Sequence, residues 1–155
     1  MNFKDKVVLV TGSSRGIGRQ IVYDFAKRGA SVIINYNSSE DDAKLLEKEI
    51  VSLFGVSVMS IYCDVSDEKS VKKMVSSILD KFGKVDILVN NAGVCNDTLY
   101  DEKDYASFEK VLGVNLIGTY LVSKYVCSDM LLKKNGKVIN LSLIHISEPT
   151  RHLRI

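Results

Sequence analysis

Eight residues near the start of the chain, Thr11-Gly12-Ser13-Ser14-Arg15-Gly16-Ile17-Gly18, have the types and spacing to grip a phosphate. They stand between an apolar run, KVVLV, and a segment of helical periodicity, GIGRQIVYDFAKRG. In a strand-to-helix turn, Gly12 permits the tight bend and Gly16 lets the backbone approach a pyrophosphate. Gly18 lets helix and strand pack closely. The helix start adds N–H groups with no partner inside the helix, and the positive end of its dipole. A glycine-rich triplet alone also describes a flexible loop. Its strand–turn–helix setting favours cofactor binding.

Other polar residues fall where further strands end. Asp64, followed by Val65, can accept an adenine N–H, or simply serve as a turn or cap residue. Asn90 and Asn91 can brace neighbouring strand ends, while Ala92 and Gly93 leave room for a ribose. A plain Asn-Gly-rich turn is the blander account. Asn115 stands mid-helix against its propensity, which surface exposure would also tolerate. A ribose 2′-hydroxyl is usually read by an acid about 20 residues beyond the glycines. The stretch Asn35-Tyr36-Asn37-Ser38-Ser39 has no carboxylate, and Glu40 and Asp41 fall in the next helix. Arg15 could pair with a 2′-phosphate, with Asn37 and Ser38 adding hydrogen bonds. NADP(H) is therefore favoured, with NAD(H) open if Glu40 turns back to the ribose.

The elements that must position these groups alternate regularly. Short strands, in KVVLVTG before its turn, SVIINY, SVMSIYCDV, VDILVNNAG with its closing turn, and NGKVINLS, are separated by helical segments. Ser39 is a plausible N-cap for the second helix, Ser66 or Asp67 for the third, and Gly29 and Gly83 close helices. A long helical region is expected from about Tyr105 to Leu132. Strands alternating with helices mean parallel strands joined by right-handed crossovers, hence an α/β, doubly wound, Rossmann-like sheet.

TGSSRGIG has the spacing G-x-x-x-G-x-G, and with it the chain resembles the short-chain dehydrogenase/reductase family. Asp64-Val65 matches that family's adenine-contacting dipeptide, Asn90-Asn91-Ala92-Gly93 its NNAG motif, and Asn115 the Asn of its catalytic tetrad. The match runs from Met1 to Ser142. The resemblance implies cofactor contacts from Gly12, Ser14, Arg15, Gly16, Ile17, Gly18, Asn37, Asp64, Val65, Asn91, Ala92 and Gly93. It gives Asn115 a catalytic part, through a kinked helix and a held water in a proton relay. It also implies a homo-oligomer, dimer or tetramer. SSRGIG, INYNSSE and DILVNNAG look most like 3-oxoacyl-[acyl-carrier-protein] reductases, acting on a small or acyl-carrier-bound carbonyl. Sugar and other alcohol dehydrogenases share these features.

Such an enzyme needs a proton donor, supplied in the family by a Tyr-x-x-x-Lys pair after the fifth strand and oriented with a Ser. Tyr120 and Lys124 have that spacing but precede the fifth strand. They are expected to be a helix-surface pair with aromatic packing. The family's Ser should fall at Leu143. The sole Pro, Pro149, and both His, His145 and His152, follow Ser142, and the basic residues change from Lys to Arg there. Residues 143–155 therefore read as a non-native or disordered tail, and 1–142 as the N-terminal part of a single-domain reductase. On that reading this chain binds cofactor without turnover, KVINLS is an exposed apolar edge, and roughly another hundred residues would complete the domain.

Composition excludes other classes. Formal net charge is +2, and the basic residues are paired with acids as in EKSVKK, so no large field draws nucleic acid or an anionic membrane. No uninterrupted apolar run is long enough to span a bilayer. Three cysteines without metal-ligand spacing fit free thiols in a reducing cytoplasm. Two histidines without a third ligand give no metal site.

Overall fold

The computed structural model describes residues 2–95 and 104–142. Five strands, β1 (Val7–Val10), β2 (Ser31–Tyr36), β3 (Val58–Tyr62), β4 (Ile87–Asn90) and β5 (Lys137–Asn140), form one parallel sheet in the order β3-β2-β1-β4-β5. The chain runs outward from β1 through β2 to β3, then returns to the other side of β1 for β4 and β5. The direction of winding reverses between β1 and β4, and a crevice opens there beyond the carboxyl ends.

Alternation within the strands divides the core between the faces. Val8 and Val10 point with Val32, Ile34 and Val89 toward α1 (Gly16–Lys27) and α2 (Glu40–Phe54), burying Val22, Ala26, Leu46 and Ile50. Val7, Leu9, Ile33 and Leu88 face α3 (Glu68–Phe82) and the last helix of the long region. Both faces of the inner strands are covered, which is why these strands are apolar at nearly every position.

The expected long helix is present but interrupted. It comprises α4 (Tyr105–Leu112), a π-helical turn (Gly113–Gly118) and α5 (Thr119–Leu132). Among the described residues, the stretch Tyr105–Leu132 alone has the length and composition of a membrane-crossing helix, although charged side chains interrupt its apolar runs. In this fold Leu121, Val122, Val126 and Met130 pack into the sheet's core.

Two cap expectations resolve differently. Asp67 opens α3, its carboxylate accepting the Lys69 and Ser70 amides at 3.2 and 3.0 Å, so the choice between Ser66 and Asp67 falls on Asp67. Ser39 precedes α2, but its side chain makes no capping bond. Glu40, Asp41 and Asp42 place negative charge in that first turn instead. β5 is exposed along its length, with Val138 and Ile139 turned to solvent as an apolar sheet edge. Leu143, His145, Pro149, His152 and the rest of 143–155 lie outside the described residues.

Candidate functional site

The crevice has a volume of about 500 Å³. Four strand ends and one helix build its wall. The turn after β1 gives Gly12, Ser14 and Arg15, and the end of β2 gives Asn35 through Ser39. The end of β3 gives Cys63 through Ser66, and that of β4 Asn91 through Val94. Of the residues expected to contact cofactor, Gly12, Ser14, Arg15, Asn37, Asp64, Val65, Asn91, Ala92 and Gly93 are thus brought together. Ile17 and Asn115 line an adjoining cavity, which shares the ridge Asn91–Val94 with the first.

The glycines divide their work. Gly16 has φ +60°, and a Cβ there would meet nothing within 4 Å. It therefore stands at open space on the N-terminus of α1. Gly18 is a close approach: a Cβ would lie 2.5 Å from Asn91 Nδ2 and 2.7 Å from the Gly12 carbonyl oxygen. Its expected role in close packing holds, with the turn and Asn91 as the surfaces met.

The NNAG segment braces the strand ends as expected. Asn91 Nδ2 donates to the Thr11 and Gly12 carbonyls at 2.8 and 3.0 Å, so its amide is committed to the turn. Thr11 Oγ1 accepts the Asn91 and Ala92 amides, both at 3.0 Å. Asn90 Nδ2 donates to Ser123 Oγ and Asn140 Oδ1 at 2.9 and 2.8 Å. Asn90 Oδ1 is buried without a partner among the described residues.

Asn115 sits within the π-helical turn. Its Oδ1 accepts the Val94 amide at 2.8 Å, and its Nδ2 donates to the Val94 carbonyl at 3.0 Å. The Asn115 carbonyl accepts from Thr119 Oγ1 at 3.0 Å. The side chain thus ties helix to strand end rather than standing idle at the surface.

Charges around the crevice are uneven. Glu40 pairs with Lys44 at 2.5 Å, and this hydrogen bond and charge hold its carboxyl below the ordinary range. Glu40 does not line the crevice, whereas Arg15 does. Asp64 Oδ1 accepts the Ser66 amide and hydroxyl at 2.9 and 2.6 Å, so Asp64 is a turn residue as well as a crevice residue. Burial pushes the Cys63 thiol up to about 11, despite an opposing hydrogen bond with Ser70; it stays protonated at neutral pH.

Tyr120 and Lys124 are a surface pair, as expected. Tyr120 is exposed, Lys124 Nζ lies 5.9 Å from its ring centroid, and the same ammonium sits 3.5 Å from Glu68. Neither residue lines a crevice. Sequence reasoning did not single out Thr11 or Asn35 as polar keystones. The available signal was an Asn within the otherwise apolar run SVIINY, where an amide must find partners.

A Rossmann-like sheet with a glycine turn at its switch point defines the class: a dinucleotide-binding fold. A family model described as short chain dehydrogenase matches residues 6–153. The chain belongs to the short-chain dehydrogenase/reductase family of oxidoreductases. It is 38% identical over 140 residues to the 3-oxoacyl-[acyl-carrier-protein] reductase FabG of Staphylococcus epidermidis, an alignment covering 90% of this chain and 57% of that protein. The corresponding enzyme of Aquifex aeolicus is 38% identical over 144 residues, covering 93% and 58%. The chain therefore spans little more than half the length of these relatives. Among solved structures, an NAD+-bound xylitol dehydrogenase matches with TM-score 0.87 at 29% identity, covering 96% of this chain and 57% of that one. A Serratia marcescens short-chain dehydrogenase/reductase matches with TM-score 0.82 at 30% identity, covering 90% and 56%.

Proposed function

We propose that the crevice binds NADP(H) in preference to NAD(H), and that the activity it serves is reduction of a ketone, most specifically a 3-oxoacyl group carried on acyl-carrier protein. The carrying observation is Gly16: positive φ and open space on the N-terminus of a 12-residue helix, next to Arg15. That geometry fits a pyrophosphate, whose charge the α1 amides and dipole would meet. Arg15 and the β2 end, Asn37 and Ser38, would take a 2′-phosphate. Glu40, paired with Lys44, leaves no acid on that wall to select a 2′-hydroxyl. Asp64 and Val65 would flank the adenine, and Ala92 and Gly93 a ribose.

Bound there, a reduced nicotinamide supplies hydride. This chain's residues hold and orient. Asn91 and Thr11 fix the floor, and Asn115 fixes Val94 at the boundary between the two cavities. On this reading Asn115, whose carbonyl accepts from Thr119 Oγ1, would hold the relay water. The similarity to 3-oxoacyl-[acyl-carrier-protein] reductases supports the acyl-carrier-protein substrate. A homo-oligomer and a cytoplasmic setting belong to the same reading, the latter agreeing with the thiols of Cys63 and Cys127.

A second reading, binding without turnover by the 155-residue chain, is favoured by the surface placement of Tyr120 and Lys124. Neither Tyr120 nor Lys124 lines either cavity. Fluorescence titration of the chain with NADPH and NADH tests the first reading: NADPH should bind at least tenfold tighter. Equal or tighter NADH binding would overturn the cofactor choice. Rapid NADPH-dependent ketone reduction by this chain would overturn the second.

A further inference from the structure

Asn35 is buried, only 2% exposed, at the carboxyl end of β2. Its side chain joins three of the segments that wall the crevice. Oδ1 accepts the Gly12 amide at 3.0 Å. Nδ2 donates to the Cys63 carbonyl at 3.1 Å and to its neighbour Tyr36's carbonyl at 3.3 Å. The backbone adds two bonds to the same turn: the Asn35 amide donates to Ser13 Oγ at 3.1 Å, and its carbonyl accepts the Ser13 amide at 2.9 Å. Ser13 Oγ in turn donates to the Val10 carbonyl at 2.7 Å.

We propose that Asn35 is a positioning residue for the dinucleotide, setting the distance between the phosphate turn after β1 and the adenine wall after β3. The proposal rests on the NADP(H) reading above. Three features carry it. Both amide hydrogens go to carbonyls and the oxygen takes the Gly12 amide, so the Asn35 side chain ties the wall segments together and acts through them rather than as a ligand. The bond to the Cys63 carbonyl fixes the residue directly before Asp64 and Val65. The bond to the Gly12 amide fixes the start of the turn whose far end presents Gly16. Backbone bonds join these segments in two separate steps, the Ser13 amide to the Asn35 carbonyl and the Cys63 amide to the Tyr36 carbonyl, both at 2.9 Å; the Asn35 side chain ties turn and β3 end through one group, since β3 does not pair with β1.

The residue type follows from the partners. One acceptor and two donors are needed on a short, neutral side chain, which is the inventory of Asn. Asp would turn an oxygen toward the Cys63 and Tyr36 carbonyls. Leu, of similar shape, would orphan the Gly12 amide and take a donor from the Cys63 and Tyr36 carbonyls, the latter keeping the Cys63 amide.

A ligand that spans turn and wall should depend on this distance, and one that touches only the wall should not. The test uses the 155-residue chain, its Asn35→Leu variant and two probes, NADP+ and adenosine, which lacks every phosphate, titrated calorimetrically beside thermal unfolding. The expected result is at least a tenfold rise in Kd for NADP+ with less than a twofold change for adenosine. Equal losses for both probes would reduce Asn35 to a general fold residue and overturn the proposal. So would unchanged NADP+ binding. Should Asn35→Leu not fold, Asn35→Ser, which leaves room for water at the orphaned groups, is read with the same outcomes. A native chain that binds neither probe would instead overturn the NADP(H) reading itself.

Discussion

Asn115 and Val94, 21 positions apart, are locked by two opposed hydrogen bonds: the amide oxygen takes the Val94 N–H at 2.8 Å and the amide nitrogen gives to the Val94 carbonyl at 3.0 Å. The pair converts a helix-unfavourable residue into a clamp on the segment after β4. It also places the π-helical turn, where one extra residue per turn is accommodated, against that segment.

Replacing Asn115 by Ala removes both bonds while restoring helix propensity, and the two effects oppose. The lost bonds are worth about 1 kcal/mol each at most, because the site is exposed and water can replace them. Ala regains about 0.5 kcal/mol. The expected net loss is about 1 kcal/mol in urea unfolding, with NADPH affinity falling roughly threefold to tenfold as Val94 loosens, in line with the factor of ten that 1.4 kcal/mol represents. A more stable variant with unchanged affinity would show that the clamp does not hold the crevice.

Gly16 and Gly18 should fail in different ways. Gly16→Val places a β-branched residue at φ +60°, a strain of about 1–2 kcal/mol, and occupies the open space at the helix start. Stability should fall by that amount and NADPH affinity at least tenfold. Gly18→Ala has no backbone strain to meet, but its Cβ falls at 2.5 to 2.8 Å from three atoms of the turn and Asn91. Overpacking of this kind costs about 1–3 kcal/mol. The ratio of affinity loss to stability loss should be larger for Gly16→Val; the reverse order would invert the two roles.

The sheet was legible in the sequence because its inner strands are buried on both faces and need apolar residues throughout, and because helix-closing glycines mark the boundaries. The turn after β1 was legible because its positive-φ positions, Gly12 and Gly16, favour glycine. Asn35 and Thr11 were not, since nothing local in SVIINY or LVTG distinguishes a polar residue that bonds across strands from one facing solvent. Their meaning appears only when β1, β2 and β3 lie side by side. Ser39 misled for a related reason: a cap residue is recognised by type, but its bond depends on a backbone geometry that type does not fix. The surface placement of Tyr120 and Lys124 was legible, because their place before β5 was itself visible in the chain.

Arg15 should govern the choice between cofactors. It lines the crevice beside the β2 end, and Glu40, the nearest acid in sequence to that end, is engaged by Lys44. Arg15→Ser should weaken NADPH binding tenfold to a hundredfold, about 1.4–2.8 kcal/mol, and change NADH binding less than twofold. Parallel fluorescence titrations measure both. Equal losses would mean that Arg15 meets the pyrophosphate common to the two nucleotides, not the 2′-phosphate.

Asp86 provides a contrast, at the opposite end of the sheet. Its buried carboxylate accepts the Val7 amide at 2.9 Å and Asn135 Nδ2 at 3.2 Å, and pairs with Lys84 and Lys6 at 2.9 and 3.4 Å. Burial alone would raise its carboxyl. The Val7 amide and the two ammonium groups outweigh burial and hold it below the ordinary Asp range. A carboxyl held lower in the folded chain than in the unfolded one stabilises the fold above the unfolded value. That contribution is lost as pH falls through the folded value. Asp86→Asn should therefore cost about 1–3 kcal/mol at pH 7, the range for a buried hydrogen-bonded charge whose lysine partners are partly screened by solvent. Because this junction of β1 and β4 lies at the end of the sheet away from the crevice, NADPH affinity should stay within twofold. Urea unfolding at pH 7 and at successively lower pH should show the two proteins converging in stability once Asp86 is protonated. A gap that widens in acid would mean that the carboxyl is held high, and that burial outweighs its partners.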